Sequence, residues 1–226
     1  MIPRLEIGRI AGIEIYLDLM FVLVLLIFTY PYFTAGSTQA ISAGFVIVVG
    51  LILSVLLHEL GHAFAGRPFK ARVSHIELTG LGGVAHFART LPPSAFARSV
   101  IYLAGPAVNL ALWQGLAWAA GQAAGMGSPM LALPLAVLAS ANFFLMVFNL
   151  LPAYPLDGGH TLDALLGRPL GPVWSVRIVA GLGLAVAVGV ALLALPTGFF
   201  LLLVALFLAQ ANWQALQSVG GTRWRR

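Results

Sequence analysis

The stretch ISAGFVIVVGLILSVLLHELGHAFAG, Ile41–Gly66, is apolar for long enough to cross a bilayer, yet His58, Glu59 and His62 sit near its end. Its apolar residues run on without alternation, which reads as a helix buried on all sides rather than a half-buried strand. The whole chain shares this character. Of its 226 residues 60% are hydrophobic and 8% charged, with a mean hydropathy of +0.97; soluble domains run near 45–50% and about 25%. A chain of this composition lives in lipid, where only helices and closed barrels satisfy their own backbone.

The expected fold is therefore an all-α polytopic membrane protein forming one domain over 1–226. Six spans are placed at 15–33, 41–66, 97–121, 130–151, 173–195 and 198–216, each near the 17–25 residues a crossing requires. Rows of small residues, Ala111, Gly115 and Ala119 in the third span and Gly181, Ala185 and Gly189 in the fifth, are weak signs of close helix packing. The opening MIPRLEIGRIAGIEIYLD carries Glu6, Glu14 and Asp18. It lacks a signal-peptide layout, so the first helix is expected to stay as an anchor.

Basic residues fix an orientation. Arg4 and Arg9 precede the first span, and Arg67, Lys70, Arg72, Arg89 and Arg98 lie between the second and third. Arg168 and Arg177 fall between or just inside the fourth and fifth, and Arg223, Arg225 and Arg226 follow the sixth; together these are all 12 Lys and Arg residues. The segments 34–40, 122–129 and 196–197 hold none. Both termini are accordingly expected in the cytoplasm. The formal charge of +5 reflects this topology and does not call for nucleic acid. Between the second and third spans, RVSHIELTGLGGVAHF reads as a β-hairpin over about 73–88, with a glycine-rich turn.

The second span carries the chemistry. His58 and His62 are four apart and share one helix face, with Glu59 beside the first. This is the H-E-x-x-H pattern, in which two imidazoles hold zinc and the glutamate takes a proton from water. Ionisable groups in a span cost about 3 kcal/mol each on insertion scales and mark function by default. Glu59 precedes Arg67, the cytoplasmic end of the span, by eight residues, about 12 Å of helix. The site is thus expected within the bilayer, nearer the cytoplasm. With no cysteine in the chain, any metal must use nitrogen and oxygen ligands.

A catalytic zinc takes a third protein ligand. The metzincin continuation fails, since Ala65 stands at its glycine and Pro68 at its histidine. His75, Glu77, His86, Asp157 and His160 are the remaining candidates. Asp157 follows the fourth span, which runs the same way as the second, so it arrives on the same side as the two histidines. Pro152 and Pro155 end the span and Gly158 and Gly159 permit tight backbone. As an alternative, Asp157 caps a short helix around Thr161–Leu166, and spacing leaves the two evenly open.

HELGH within a span, followed by NLLPAYPLDGG at Asn149–Gly159, closely resembles the site-2 protease family of intramembrane zinc metalloproteases. AGPAVN at Ala104–Asn109 is similar to a further family feature on the third span, and GLGGVAHF at Gly80–Phe87 resembles the family's membrane-associated hairpin. The resemblance implies one zinc per chain, held by His58, His62 and Asp157, with Glu59 as general base. It implies a polar role for Asn149 near the reacting carbonyl, and contact of the hairpin, through Gly82, Gly83 and Val84, with an extended substrate. Asn109 and Asn142 are alternatives to Asn149 for that polar role, with ties between helices as the preferred reading, and His160 falls outside the ligand set.

The function so implied is hydrolysis of peptide bonds within or near transmembrane segments of substrate proteins, in a multi-pass protein of the cell membrane. Its partners would be transmembrane proteins and the lipid bilayer, with no nucleic acid. The alternatives are a membrane zinc transporter, which needs no glutamate beside the first histidine, and a catalytically inactive scaffold. Many relatives carry a PDZ domain or a CBS pair; the residues after the sixth span are too few for either, so a minimal form is expected.

Overall fold

The computed structural model describes residues 4–80, 82–88 and 90–220. Arg89, Arg223, Arg225 and Arg226, used above for orientation, lie outside them, as does Leu81 of the hairpin turn. The chain is a mostly helical, multi-pass membrane protein with a small four-stranded sheet. Among the described residues five helices are long and apolar enough to cross a membrane: α2 (Thr38–Gly66), α3 (Ala95–Gly125), α4 (Pro129–Asn149), α6 (Pro172–Thr197) and α7 (Phe199–Gly220). Helix α1 (Leu19–Thr34) is apolar but has only 16 residues. Helix α5 (Asp157–Leu170) is amphipathic and extends well beyond the short helix expected at Thr161–Leu166.

The expectation of a first span at 15–33 needs correcting. Ile13–Asp18 is a strand, β2, which pairs antiparallel with β1 (Arg4–Ile10). IEIYLD alternates: Ile13 and Ile15 are buried while the residues between them are less so. Read next to the apolar run that follows, this period of two is easily absorbed into a helix. Asp18 then ends the strand and caps α1, its carboxylate accepting from the Met20 amide at 3.0 Å.

The hairpin is present as expected, with β3 at Val73–Thr79 and β4 at Gly82–Phe87. It is half of a larger object. The sheet order is β1-β2-β3-β4, with β2 and β3 parallel, so the all-α expectation understated the strand content. Thr79 Oγ1 donates to the Gly82 carbonyl (2.9 Å) across the turn, and Gly82 takes φ +129°, where a side chain would be strained.

Two compact units make up the chain: Met1–Leu91 with Ala104–Met146, and Pro92–Leu103 with Val147–Arg226. In the first, Ile13, Ile15, Ile76 and Leu78 from one face of the sheet pack with Val55, Leu56, Leu60 and Ala63 of α2 and with Phe21 and Leu25 of α1. In the second, Ala153, Leu156, Ala187 and Leu208 form a core from the loop before α5 and from α6 and α7. The anticipated small-residue rows are not where helices approach closely. Among the described residues a Cβ at Gly115, Gly181 or Gly189 would meet nothing within 4 Å, whereas one at Gly61 would stand 2.9 Å from the Ala104 carbonyl oxygen. Apolar side chains gain little from one another in lipid, so contacts of this kind and buried polar pairs bring membrane helices together.

Candidate metal centre

Helical periodicity sets the first two ligands. His58 and His62 project from the same face of α2, both 6% exposed, and their Nε2 atoms lie 3.1 Å apart. Two ligands of one tetrahedral zinc, at bond lengths near 2.0–2.1 Å, stand roughly 3.3 Å apart. The pair already has the spacing of a shared metal edge.

A directed set of hydrogen bonds determines which nitrogen of His58 is free. Ser54 Oγ donates to the Gly50 carbonyl (2.8 Å), and Asn142 Nδ2 donates to Ser54 Oγ (2.9 Å) and to the Leu138 carbonyl (2.9 Å). Asn109 Nδ2 donates to Asn142 Oδ1 at 2.8 Å, which leaves Asn109 Oδ1 as an acceptor 2.5 Å from His58 Nδ1. His58 must therefore carry its proton on Nδ1, and in the neutral ring Nε2 is a lone pair. Interhelical polar contacts in lipid average about 0.6 kcal/mol each, too little to make these buried amides a stability device. What they accomplish is to fix a ring and its tautomer, as partners behind metal ligands do. The reading of Asn109 and Asn142 as helix ties was correct in place and incomplete in purpose.

Two glycines let neighbouring backbone press against this face. A Cβ on Gly105, in α3, would lie 2.4 Å from His62 Nε2 and 2.6 Å from His58 Nε2. A Cβ on Gly83, in β4, would lie 2.4–2.7 Å from the Glu59 carboxyl group. Glu59 itself is 5% exposed, so its carboxylate is enclosed against the hairpin strand expected to hold substrate. Of the other hairpin residues singled out, Gly82 is in the tight turn and Val84 is 44% exposed on the opposite face of the strand.

Asp157 is the first residue of α5 and is 9% exposed. The residue at the N-cap is Leu156, which has no side-chain acceptor, so the expected alternative, a cap supplied by Asp157 to a helix at Thr161–Leu166, is not the one the fold uses. Asp157 is buried, as are His58 and His62. Two imidazoles and a carboxylate form a donor set that suits zinc.

The loop before Asp157 is held firmly. A Cβ on Gly158 would stand 2.2 Å from the Leu150 carbonyl oxygen and one on Gly159 2.5 Å from that of Ala153, so these glycines serve close packing of the loop upon itself. Asn212, in α7, accepts from the Tyr154 amide (3.0 Å) and donates to the Tyr154 carbonyl (2.8 Å). Gly183 of α6 makes room for it; a Cβ there would come within 2.0 Å of Asn212 Oδ1. Sequence reasoning missed Asn212, although the amides Gln210, Asn212 and Gln214 of LFLAQANWQ were a visible signal in an apolar span. Asn149 is the half-buried last residue of α4. His160 stacks on Tyr102 at 4.8 Å and meets Tyr154 edge-on at 5.2 Å, a packing role that agrees with its exclusion from the ligand set. His75, Glu77 and His86 gather separately on the sheet.

The sequence profile of Peptidase family M50 matches residues 46–127 and 117–196. Rip3 of Mycobacterium tuberculosis is 36% identical over 199 residues, covering 82% of this chain and 48% of its own. A zinc metalloprotease of Methanocaldococcus jannaschii is 32% identical over 209 residues, covering 90% and 58%. The chain thus spans about half the length of the curated relatives it matches. Among solved structures, a site-2 protease from Methanocaldococcus jannaschii superposes with a TM-score of 0.67 at 27% identity, over 95% of each chain.

Proposed function

Since this chain belongs to peptidase family M50, the site-2 proteases, we propose that it is an intramembrane zinc metalloprotease that hydrolyses peptide bonds in or near transmembrane segments of other proteins. The observation that carries this reading is the buried pair His58 and His62, with Nε2 atoms 3.1 Å apart on one face of α2 and Glu59 next to the first of them.

His58 and His62 would hold the metal through Nε2 and Asp157 through a carboxylate oxygen, one zinc at this centre. When bound, zinc supplies Lewis acidity, making water acidic near neutral pH and polarising an amide carbonyl. Glu59 accepts the proton from water and returns it to the leaving amine. Asn109 holds His58 in the tautomer that leaves Nε2 available. Asn149 is assigned a polar contact to the reacting carbonyl on the strength of the family motif.

A membrane helix hides its peptide bonds, so the segment to be cut must unwind. Strand β4 ends the sheet order and its Gly83 borders Glu59. An unwound segment added alongside β4, near Gly82, Gly83 and Val84, would have its backbone paired while one peptide bond reaches the glutamate. The partners are transmembrane proteins. Helix α1, 16 residues long, or about 24 Å at 1.5 Å per residue, serves as a sixth crossing where the bilayer thins to meet it. Both termini face the cytoplasm, and the site lies nearer that side.

The test uses purified chain in proteoliposomes with a co-reconstituted transmembrane reporter. Glu59→Gln should retain zinc while hydrolysis falls at least about a hundredfold, as for loss of a general base. Near-normal turnover in that variant would remove Glu59 from its role. Zinc flux without cleavage in the wild type would replace protease by transporter.

A further inference from the structure

The histidines and glutamate on the hairpin take no part in the centre described above. His75 and Glu77 are two apart on β3, and the register pairs His75 with His86 and Glu77 with Val84. Ile76 and Leu78, both fully buried, occupy the core face of β3. His75, Glu77 and His86 therefore share the other face, turned away from Glu59. The two imidazoles stack with centroids 4.3 Å apart and planes 10° from parallel. His75 Nε2 is 3.2 Å from Glu77 Oε1, and His86 Nε2 is 3.5 Å from Glu77 Oε2. One ligand atom from each of the three lies within 4.8 Å of the others.

Proton accounting shows what this arrangement lacks. Ser74 Oγ donates its one proton to the His86 carbonyl (2.9 Å), so its 3.0 Å contact with His75 Nδ1 requires that nitrogen to be the donor. In the neutral ring Nε2 of His75 is then a lone pair aimed at a carboxylate oxygen. His86 Nε2 is enclosed and makes no hydrogen bond. Both ring nitrogens thus face the Glu77 carboxyl group, at 3.2 and 3.5 Å, where one cation would satisfy the lone pairs and the carboxylate together. Arg4 pairs with Glu77 Oε1 from β1, but its guanidinium has no lone pair to satisfy either imidazole.

We propose that His75, Glu77 and His86 form a second metal site, for a divalent transition cation of the zinc class. Ligands of one tetrahedral zinc are separated by roughly 3.3 Å; each imidazole Nε2 already stands close to that distance from an oxygen of Glu77, and the stacked rings would turn toward one another to share the ion. Two imidazoles with one carboxylate favour zinc over calcium or magnesium, which prefer oxygen. The His86 side chain is 41% exposed, so an ion can enter from solvent without passing through the core. Bound there, it would join β3 to β4 across the His75–His86 pair.

The experiment counts metal. Full-length chain without a polyhistidine tag is purified in detergent, stripped by chelator, equilibrated with buffered zinc and measured by mass spectrometry. The wild type should hold two zinc ions per chain. His86→Ala and His75→Ala should each hold one, as should Glu77→Gln, which keeps the shape of the site if the alanine variants misfold. His62→Ala should also retain one, now sensitive to His86. Cobalt loading should give tetrahedral absorption that falls by about half in the hairpin variants. Two ions kept in all three hairpin variants would overturn the proposal, as would a single wild-type ion lost only with His62. A single ion lost with His86 and kept in His62→Ala would uphold this site and remove the proposed catalytic centre, so the two readings fail separately.

Discussion

The imidazoles of His58 and His62 meet because four residues along a helix return to one face. Those of His75 and His86 meet because two strands pair in a register that brings together residues eleven apart. The helical pair is 6% exposed and set behind by amides from two further helices. The hairpin pair leans on a serine and stays partly open to solvent. Similar donors at similar spacing are thus placed once in a dry, oriented environment and once in an accessible one. The first arrangement suits chemistry and the second suits exchange.

That contrast can be broken at several points. The largest effect is expected from Gly105→Ala, whose new methyl would lie 2.4–2.6 Å from Nε2 of both helical histidines. The imidazoles must turn away, and the zinc they hold should be lost with no ligand removed. Unchanged zinc content in that variant would mean that the helical pair is as adaptable as the hairpin pair. Next comes Asp157→Asn, which keeps size and loses the anionic oxygen that zinc prefers. Most metal and cleavage should disappear; wild-type values would show that two imidazoles suffice and that Asp157 is no ligand.

Asn109→Ala removes the acceptor from His58 Nδ1. Losses behind a metal ligand run about 10–100-fold in affinity, and a competing chelator would measure it. Asn109→Asp should recover part of that affinity, because it restores the acceptor, and failure to do so would argue that Asn109 only ties helices. The smallest effect belongs to Gly115→Ala, where the added methyl meets nothing within 4 Å. It should leave zinc content intact and raise helix stability by no more than about 1 kcal/mol, read from thermal unfolding in detergent.

The sequence made the local parts of this protein legible. Five of the apolar runs are crossing-length helices, with ends within a few residues of those expected. HELGH could be read without partners because its geometry depends only on helical period. The hairpin showed because its glycines punctuate two β-branched segments. What stayed hidden depends on pairings between distant stretches. Strand β2 lines up in parallel with β3 through partners such as Ile15 and Ile76, and nothing in IEIYLD names that partner. The contacts of Gly83 with Glu59 and of Gly105 with two imidazoles likewise need the fold first. Asp157 lay between these cases: its motif was plain, but only the helix start at Asp157, after Leu156, removed the cap alternative.

The grip of Asn212 on Tyr154 also has a consequence in time. The backbone that presents Asp157 is clamped by a side chain made 55 residues later. At about 5–20 residues per second, a ribosome needs roughly 3–11 s to travel that distance. Throughout that interval the nascent chain already has its HELGH helix but not the clamp on the loop that carries the third carboxylate. Maturation of the centre therefore waits on the arrival of the last helix, and a translation product that stalls before residue 212 leaves Tyr154 without the amide that holds it.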